Sequence, residues 1–419
     1  MKTSQKKYLH LSHKAKRVIS LCILSFVVGT VLFSQSVEDL VNMAKEYNPG
    51  LKSLRLEYDA ALLKADQVND WPDPKVNLAI GILPIETRLG AQRLKIGVSQ
   101  MIPWKGSLDA KSNVAKSMAE VQSYADEVKE IDIEYVIRTS YAMLQFLEPK
   151  KDVIRQRLEI LDALEDLSKS AVRSGKGKLS NVLFIERKRE ILEADLSLIA
   201  KKMEQPTIMI NRWTGRLLMT EIVLPQVIEN LLMKNELIKY AENDHPQFKI
   251  FENQILASNF KIKETKYGRK PKVGVGLDYA YIDGRNDVDI PGNGRDVLMP
   301  MGSISIPIHT GRYKAIRQEE TIRQEAINAM REEVKDMYKA EIELAYVNIE
   351  YADQVIRKYQ SLKTITKETL KLMRTEYASE GTRFEELLRL EMELIDYDLE
   401  ILKAQYEKNL AIATLYKYR

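Results

Sequence analysis

The residue types that most often do chemistry are scarce in this sequence. Four of its 419 residues are histidine and one is cysteine, and His10, His13 and Cys22 all fall within the first 35. The two remaining histidines, His245 and His309, stand beside Pro246 and close to Gly311, where an imidazole fits a turn better than a catalytic centre. So few His and Cys leave little for a zinc site, a thiol nucleophile or a haem. Gly274-x-Gly276 lies in an alternating stretch and reads as strand glycine, not as a phosphate-cradling loop. Met299-Pro300-Met301 is a pair of soft thioethers that can touch a soft metal, although strand-end methionines more often pack. We assign no catalytic residue, no metal ligand and no cofactor, and expect a protein that is not an enzyme.

The first 35 residues have the form of an export signal. Lys2, Lys6, Lys7, Lys14, Lys16 and Arg17 precede a mostly apolar run from Val18 to Phe33, which ends in Ser34-Gln35-Ser36. Cleavage is expected near Ser34 to Ser36. A lipid anchor on Cys22 is rejected because Leu21 precedes it and the Cys sits within the apolar run. An uncleaved N-terminal membrane anchor is the alternative, and either reading puts the rest of the chain outside the cytoplasm. Removing six basic and no acidic residues turns 64 basic against 60 acidic into 58 against 60. A nearly neutral mature chain gives no electrostatic case for nucleic acid.

The elements that carry these residues occur twice. Asn48-Pro49 and His245-Pro246 are 197 residues apart, as are Pro74-Lys75-Val76 and Pro271-Lys272-Val273. Ile102-Pro103-Trp104-Lys105-Gly106 finds its partner in Ile306 to Gly311, with the glycines 205 apart, and Asn181-Val182-Leu183 aligns with Glu386-Leu387-Leu388 at the same offset. The eight extra residues belong to Asp283 to Asp296, a Gly/Asn/Asp-rich stretch whose counterpart near Pro84 to Gly90 is shorter. The constant offset after the glycines, over 75 residues, is what a rigid helical hairpin arm requires and a loop does not.

Within those arms Val121, Tyr124, Val128, Ile131 and Tyr135 are spaced 3, 4, 3, 4, and Leu387, Leu390, Leu394, Tyr397 and Ile401 repeat the spacing. These are coiled-coil seams. Helix starts are expected at Ser107 and Gly311, and turns at Ser174 to Gly177 and near Ser379 to Thr382. An arm from Ser107 to Arg173 would be about 100 Å long at 1.5 Å per residue, with a kink or break at Pro149. The repeat divides the chain into a signal (1–35), a first repeat (36–210) with a β-hairpin about 75–103 and a helical hairpin about 107–205, a linker (211–235), and a second repeat (236–419) with a β-hairpin about 272–307 and a helical hairpin about 311–415.

The β-hairpins show a period of two. Val76, Leu78, Ile80 and Ile82 alternate with Asn77, Ala79, Gly81 and Leu83; Leu94, Ile96, Val98 and Ile102 alternate with Arg93, Lys95, Gly97, Ser99 and Met101. Val273, Val275, Leu277, Tyr279 and Tyr281 make a third strand, and Leu298, Ile304 and Ile306 a poorer fourth that contains Pro300. About ten residues spans a bilayer when tilted; alternation alone equally fits a soluble hairpin on a core. Four strands cannot close a barrel, and lipid tolerates no open edge, so membrane strands would force several chains into one barrel. Two chains reach the eight-strand minimum, and three, with twelve strands, leave a wider lumen.

Over essentially all of the mature chain these features resemble the TolC-like outer membrane efflux channels. The resemblance rests on the tandem architecture together with Asn48-Pro49, Asp73-Pro74, Ser99-Gln100-Met101-Ile102-Pro103-Trp104-Lys105-Gly106, and Gly175 followed by Asn181-Val182-Leu183. It implies a mostly α fold with transmembrane β structure: a homotrimer with a twelve-stranded β-barrel in the outer membrane, an α-helical barrel crossing the periplasm, and a mixed equatorial region. It further implies a passive exit duct whose partners are a periplasmic adaptor and an inner membrane pump that supplies the energy. Carried over residue by residue, the adaptor-contact tip is Arg173, Gly175, Lys176, Gly177, Lys178 and Asn181, and the gate at the second tip is Tyr377, Arg383, Glu385 and Glu386. Gly381 lies five rather than six residues before Glu386, so the second tip departs from the family spacing. Leu83-Pro84 and Gln100-x-Ile-Pro-Trp look most like the branch serving heavy-metal efflux, which implies a cation cargo. The competing class is a secreted or periplasmic coiled-coil adaptor, which usually shows one helical hairpin where this chain has two.

Overall fold

A computed structural model describes residues 36–175, 177–224, 233–380 and 383–419, without the side chains of 376–380 and 384. The segment read as an export signal, together with Lys176, Gly381 and Thr382, lies outside the described residues. Twelve elements in six matched pairs follow the sequence repeat. Helix α1 (Val37–Tyr47) opens on a capping box: Ser36 Oγ accepts from Asp39 N and Asp39 Oδ2 from Ser36 N, both at 3.1 Å. Helix α2 (Pro49–Gln67) starts on a proline, which has no N–H to lose, and Asn48 Oδ1 accepts from Gly50 N at 2.8 Å. Strands β1 (Lys75–Thr87) and β2 (Gly90–Ile102) lead into α3 (Ser107–Arg173), and α4 (Leu179–Thr214) returns. The order recurs as α5 (Lys234–Asn243), α6 (Pro246–Gly268), β3 (Lys272–Asp283), β4 (Val297–Ser305), α7 (Gly311–Glu380) and α8 (Phe384–Leu415), closed by a 3-10 turn at Tyr416–Tyr418.

The second repeat uses the first repeat's capping device with a different side chain. His245 Nδ1 accepts from Gln247 N at 3.1 Å where Asn48 serves α2. Because Nδ1 accepts, Nε2 carries the proton and donates to Lys417 O at 3.0 Å. Asn48 Nδ2 likewise donates to Trp213 O at 3.3 Å. Each cap thus ties the start of one helix to the end of its own repeat, Trp213 in the last turn of α4 and Lys417 in the 3-10 turn after α8.

The strands form one antiparallel sheet in the order β1-β2-β3-β4. The helices that adjoin them pack in the same order, α2 on α3, α3 on α6 and α6 on α7. Farther along, α3 packs on α4 and α8, and α8 on α7. The 67-residue α3 and 70-residue α7 run through both regions. A single layer of helices has a seam on each side and two open faces, so most side chains are half-buried. The Val121-to-Tyr135 stripe is of this kind; the fully buried positions nearby are Ile133, Ile137 and Tyr141.

Those buried residues show the repeat in three dimensions. Leu40 and Ala44 of α1 pack with Ile137, Leu144 and Ile210; Leu237 and Ala241 of α5 pack with Ile342, Ile349 and Leu415. Each of these five residues of the first core has its equivalent in the second at an offset of 197 or 205. A third core joins the two helical hairpins through Leu147, Ile154, Ile185, Leu370 and Leu387. It also accounts for a departure from expectation: α3 runs through Pro149 without ending. Leu147 and Ile154, on either side, are both held in that core, and packing outweighs the lost hydrogen bond. Residues 215–224 fold back onto the first core, with Asn211 Nδ2 donating to Leu218 O and Thr220 O at 3.0 and 2.7 Å. No helix among the described residues is long and apolar enough to cross a membrane.

Candidate functional site

Strand register sorts the sheet into two faces. Val76 pairs with Val98 and Val98 with Leu277; Leu78 pairs with Ile96, Ile96 with Tyr279, and Tyr279 with Leu298. The opposite face carries Lys75, Asn77, Lys95, Ser99, Asp278, Ser303 and Ser305 among glycines, alanines and the methionines Met101, Met299 and Met301. An antiparallel sheet in water packs its apolar face on a core. Here that face is open: Val76, Leu78, Ile80 and Ile304 are 68%, 62%, 69% and 69% exposed. The polar face contains the buried carboxylate, Asp278, at 6% exposure with Lys95 Nζ at 2.7 Å. Gly97 makes room for it, since a Cβ there would collide with Asp278 Oδ1.

The same two edges are open in the sheet and in the helical layer. β1 and β4 each pair on one side only, and among the described residues α2 and α7 each have one neighbour in the wall beside the sheet. Pro300 is tolerated because β4 is an edge strand. Aromatic and basic groups collect where the sheet meets the helices. Trp104 Nε1 donates to Pro271 O at 2.7 Å, and Lys270 Nζ lies 4.9 Å from the Trp104 ring and 5.2 Å from that of Tyr267.

At the far end the hairpins turn. Gly175 takes a left-handed φ of 73°, and Gly177 N donates to Ala171 O at 2.9 Å. A Cβ on Gly177 would meet Val172 N at 2.8 Å and Ala171 C at 2.9 Å, so this turn needs its glycine. Arg173 ends α3, Lys178 precedes α4, and Asn181 is half-buried with an unpartnered Oδ1; Lys176 lies outside the described residues. Leu179, Leu183 and Phe184 are exposed here. The i, i+4 spacing of Leu179 and Leu183 was the signal for them, but in a sequence it looks like a core seam. At the second tip Arg383 has a φ of 63° and its carbonyl accepts from Leu387 N at 3.1 Å. Glu385 and Glu386 are exposed in the first turn of α8, where the helix dipole favours carboxylates. The Tyr377 backbone belongs to α7, and its side chain lies outside the described residues.

Charged side chains brace the hairpins. Glu165 is nearly buried between Lys169 and Arg189, and the Lys169 ammonium, with Arg189 beside it, holds its carboxyl below the usual range. Arg374 engages buried Glu391 between α7 and α8. Arg157 of α3 donates through Nη2 to Asp396 Oδ1 at 3.1 Å and Met392 O at 3.4 Å, which ties the first hairpin to the second. Among the described residues no group of three or more His, Cys, Asp or Glu could hold a metal.

No protein-family model matches the chain, and no curated protein matches it. Solved structures do. The outer-membrane channel OprN superposes with a TM-score of 0.74 at 15% identity, over 91% of this chain and 89% of that one. CusC, whose structures concern folding and transmembrane channel formation, gives 0.73 at 15%, over 92% of each chain. The open state of the Neisseria gonorrhoeae outer membrane channel MtrE gives 0.71 at 17%, over 91% and 88%. What is shared at these identities is the fold: nearly the whole described chain has the architecture of an outer-membrane channel subunit.

Proposed function

We propose that the chain is one subunit of a passive outer-membrane efflux duct. The observation that carries this reading is the uncovered apolar face of a sheet whose two edges are open on the same sides as those of the helical layer beside it. Lipid can cover the face, and further copies can close the edges by joining β4 of one to β1 of the next. A head-to-tail contact of that kind closes into a ring. Three copies make a twelve-stranded barrel with a polar lumen, continued by a helical tunnel into the periplasm. The duct stores no energy of its own, so a pump in the inner membrane drives transport through an adaptor.

The adaptor docks at the turn formed by Arg173, Gly175, Lys176, Gly177, Lys178 and Asn181, with Leu179, Leu183 and Phe184 as the apolar part of the contact. The aperture is held at the other turn by Tyr377, Arg383, Glu385 and Glu386. Single-channel conductance tests this: Tyr377→Phe and Glu386→Gln raise the closed-state conductance severalfold, and an unchanged closed state removes both from the gate. A heavy-metal cargo is a second reading, favoured by Met101, Met299 and Met301, which share the polar face of the sheet. Cells lacking the protein should then lose tolerance to soft metal ions; undiminished tolerance counts against it.

A further inference from the structure

The sheet-to-helix junction holds a groove of about 780 Å³ that the duct reading does not use. Four of its five strand residues, Lys75, Met101, Lys272 and Ser305, belong by register to the polar face, and the fifth, Ile102, is the last residue of β2. The groove therefore opens on the side opposite the apolar one. Its charge is one-sided. Lys75, Lys111, Lys272 and Arg312 make no ion pair among the described residues. The one acidic lining residue, Glu264, is engaged by Lys261 at 2.9 Å.

Helix dipoles add to this charge. Helix α3 begins at Ser107 and α7 at Gly311, and the first turns of both contribute to the lining. A helix N-terminus carries roughly half a positive charge and disfavours a nearby cation. Arg312 sits in the first turn of α7 nonetheless, against the local preference, and Lys111 follows one turn into α3, whose first turn holds Asp109 outside the lining. Only α6 presents its negative end, and Lys270 and Lys272 follow it directly. Trp104 and Tyr313 supply flat apolar surface beside the cations.

We propose that this groove is a weak binding site for amphipathic organic anions, aromatic sulfonates or phosphate esters, in passage through the lumen. The inference rests on the duct reading, because only that reading makes the polar face inward. Three copies set twelve unpaired cations around one level of the tunnel, which raises the local concentration of anions and repels free cations. It favours anionic cargo over metal ions.

The test uses the full chain in neutral detergent with pyrenetetrasulfonate as probe, read by fluorescence anisotropy at low salt. The wild type should bind saturably, bind more weakly as salt screens the groove, and bind at least tenfold more tightly than the variant Lys111→Gln/Lys272→Gln/Arg312→Gln of equal oligomeric mass. If the triple variant does not assemble, Lys111→Gln and Arg312→Gln alone should each weaken binding about threefold. Equal affinity in wild type and variants overturns the site. Displacement of the probe by phosphatidylglycerol also overturns it, since a lipid headgroup would then be the occupant and the groove would face the bilayer. In planar bilayers under a salt gradient, the variant's reversal potential should move toward cation preference, and an unmoved potential refutes selection. A conducting protein that fails to bind the probe overturns this inference alone. One that binds but never conducts overturns the duct reading and, with it, binding in transit.

Discussion

His245 makes the helix cap of the second repeat sensitive to pH, whereas the equivalent cap of the first repeat, Asn48, does not titrate. Burial, with the Lys417 ammonium adding to it, pushes the imidazole below its ordinary value of 6.5, against the opposing pull of the Lys417 carbonyl. In the folded chain Nδ1 must stay unprotonated to accept from Gln247 N. The unfolded chain therefore binds the proton first, and stability rises with pH in that window. The contribution is complete above about pH 6.5, is lost as pH falls below that value, and stops changing below the folded pKa. One proton sets a limit of about 1.4 kcal/mol per pH unit, and the cap itself is worth about 1 kcal/mol. The first repeat supplies the control: Asn48 makes the equivalent two bonds with a side chain that does not titrate. Hydrogen exchange at the start of α6, corrected for intrinsic rates, should become about fivefold faster from pH 7.5 to 5.5 in the wild type, the factor that ~1 kcal/mol implies. His245→Asn should keep its protection at both values, and His245→Ala should lose it at both. The reasoning fails if His245→Asn shows the wild-type pH dependence, or if wild-type protection increases on acidification.

Three further outcomes follow from the sheet and the tip. Leu78→Arg on the open apolar face should cost ~2–4 kcal/mol in urea-dependent folding into liposomes; a cost near zero would mean that the face meets water. Gly97→Ala drives a methyl into Asp278 and should destabilise by ~1–3 kcal/mol, with part recovered in Gly97→Ala/Asp278→Ala; no recovery would place the strain elsewhere. Gly177→Ala meets backbone at Ala171 and Val172 and should speed exchange in the last turn of α3, whereas Gly175→Asn, with nothing within 4 Å and only a left-handed φ to satisfy, should cost less than about 1 kcal/mol. Equal effects at the two glycines would refute the distinction.

Much of the fold was legible because the chain states it twice. The offsets of 197 and 205 mark equivalent positions in the two buried cores, and a period of two separates the faces of every strand. The helix starts at Ser107 and Gly311 follow from the glycine landmarks. Other features were hidden for physical reasons. Alternation says which residues share a face and not whether that face meets a core or stays open, so the exposure of Val76 and Ile80 needed the structure. The Val121-to-Tyr135 stripe looked like a coiled-coil seam, but a helix in a single-layer wall has two seams, and its deepest positions, Ile133, Ile137 and Tyr141, lie beside that stripe. Pro149 predicted a kink or break from local geometry alone, and with the core around it the helix does not break there. The basic groove was out of reach because Lys75, Lys111, Lys272 and Arg312 come from four elements more than 200 residues apart at their extremes. The repeat offset of 197 joins Lys75 to Lys272, but no spacing rule joins that pair to Lys111 and Arg312.

The central claim is that this chain is incomplete alone and closes into a membrane ring of three. Native mass spectrometry of the protein extracted from outer membranes in mild detergent tests it most directly. The account predicts a homotrimer that needs detergent to stay in solution. A monomer recovered in buffer without detergent would contradict it, because the open apolar face and the unpaired edges of β1 and β4 would then have no partner.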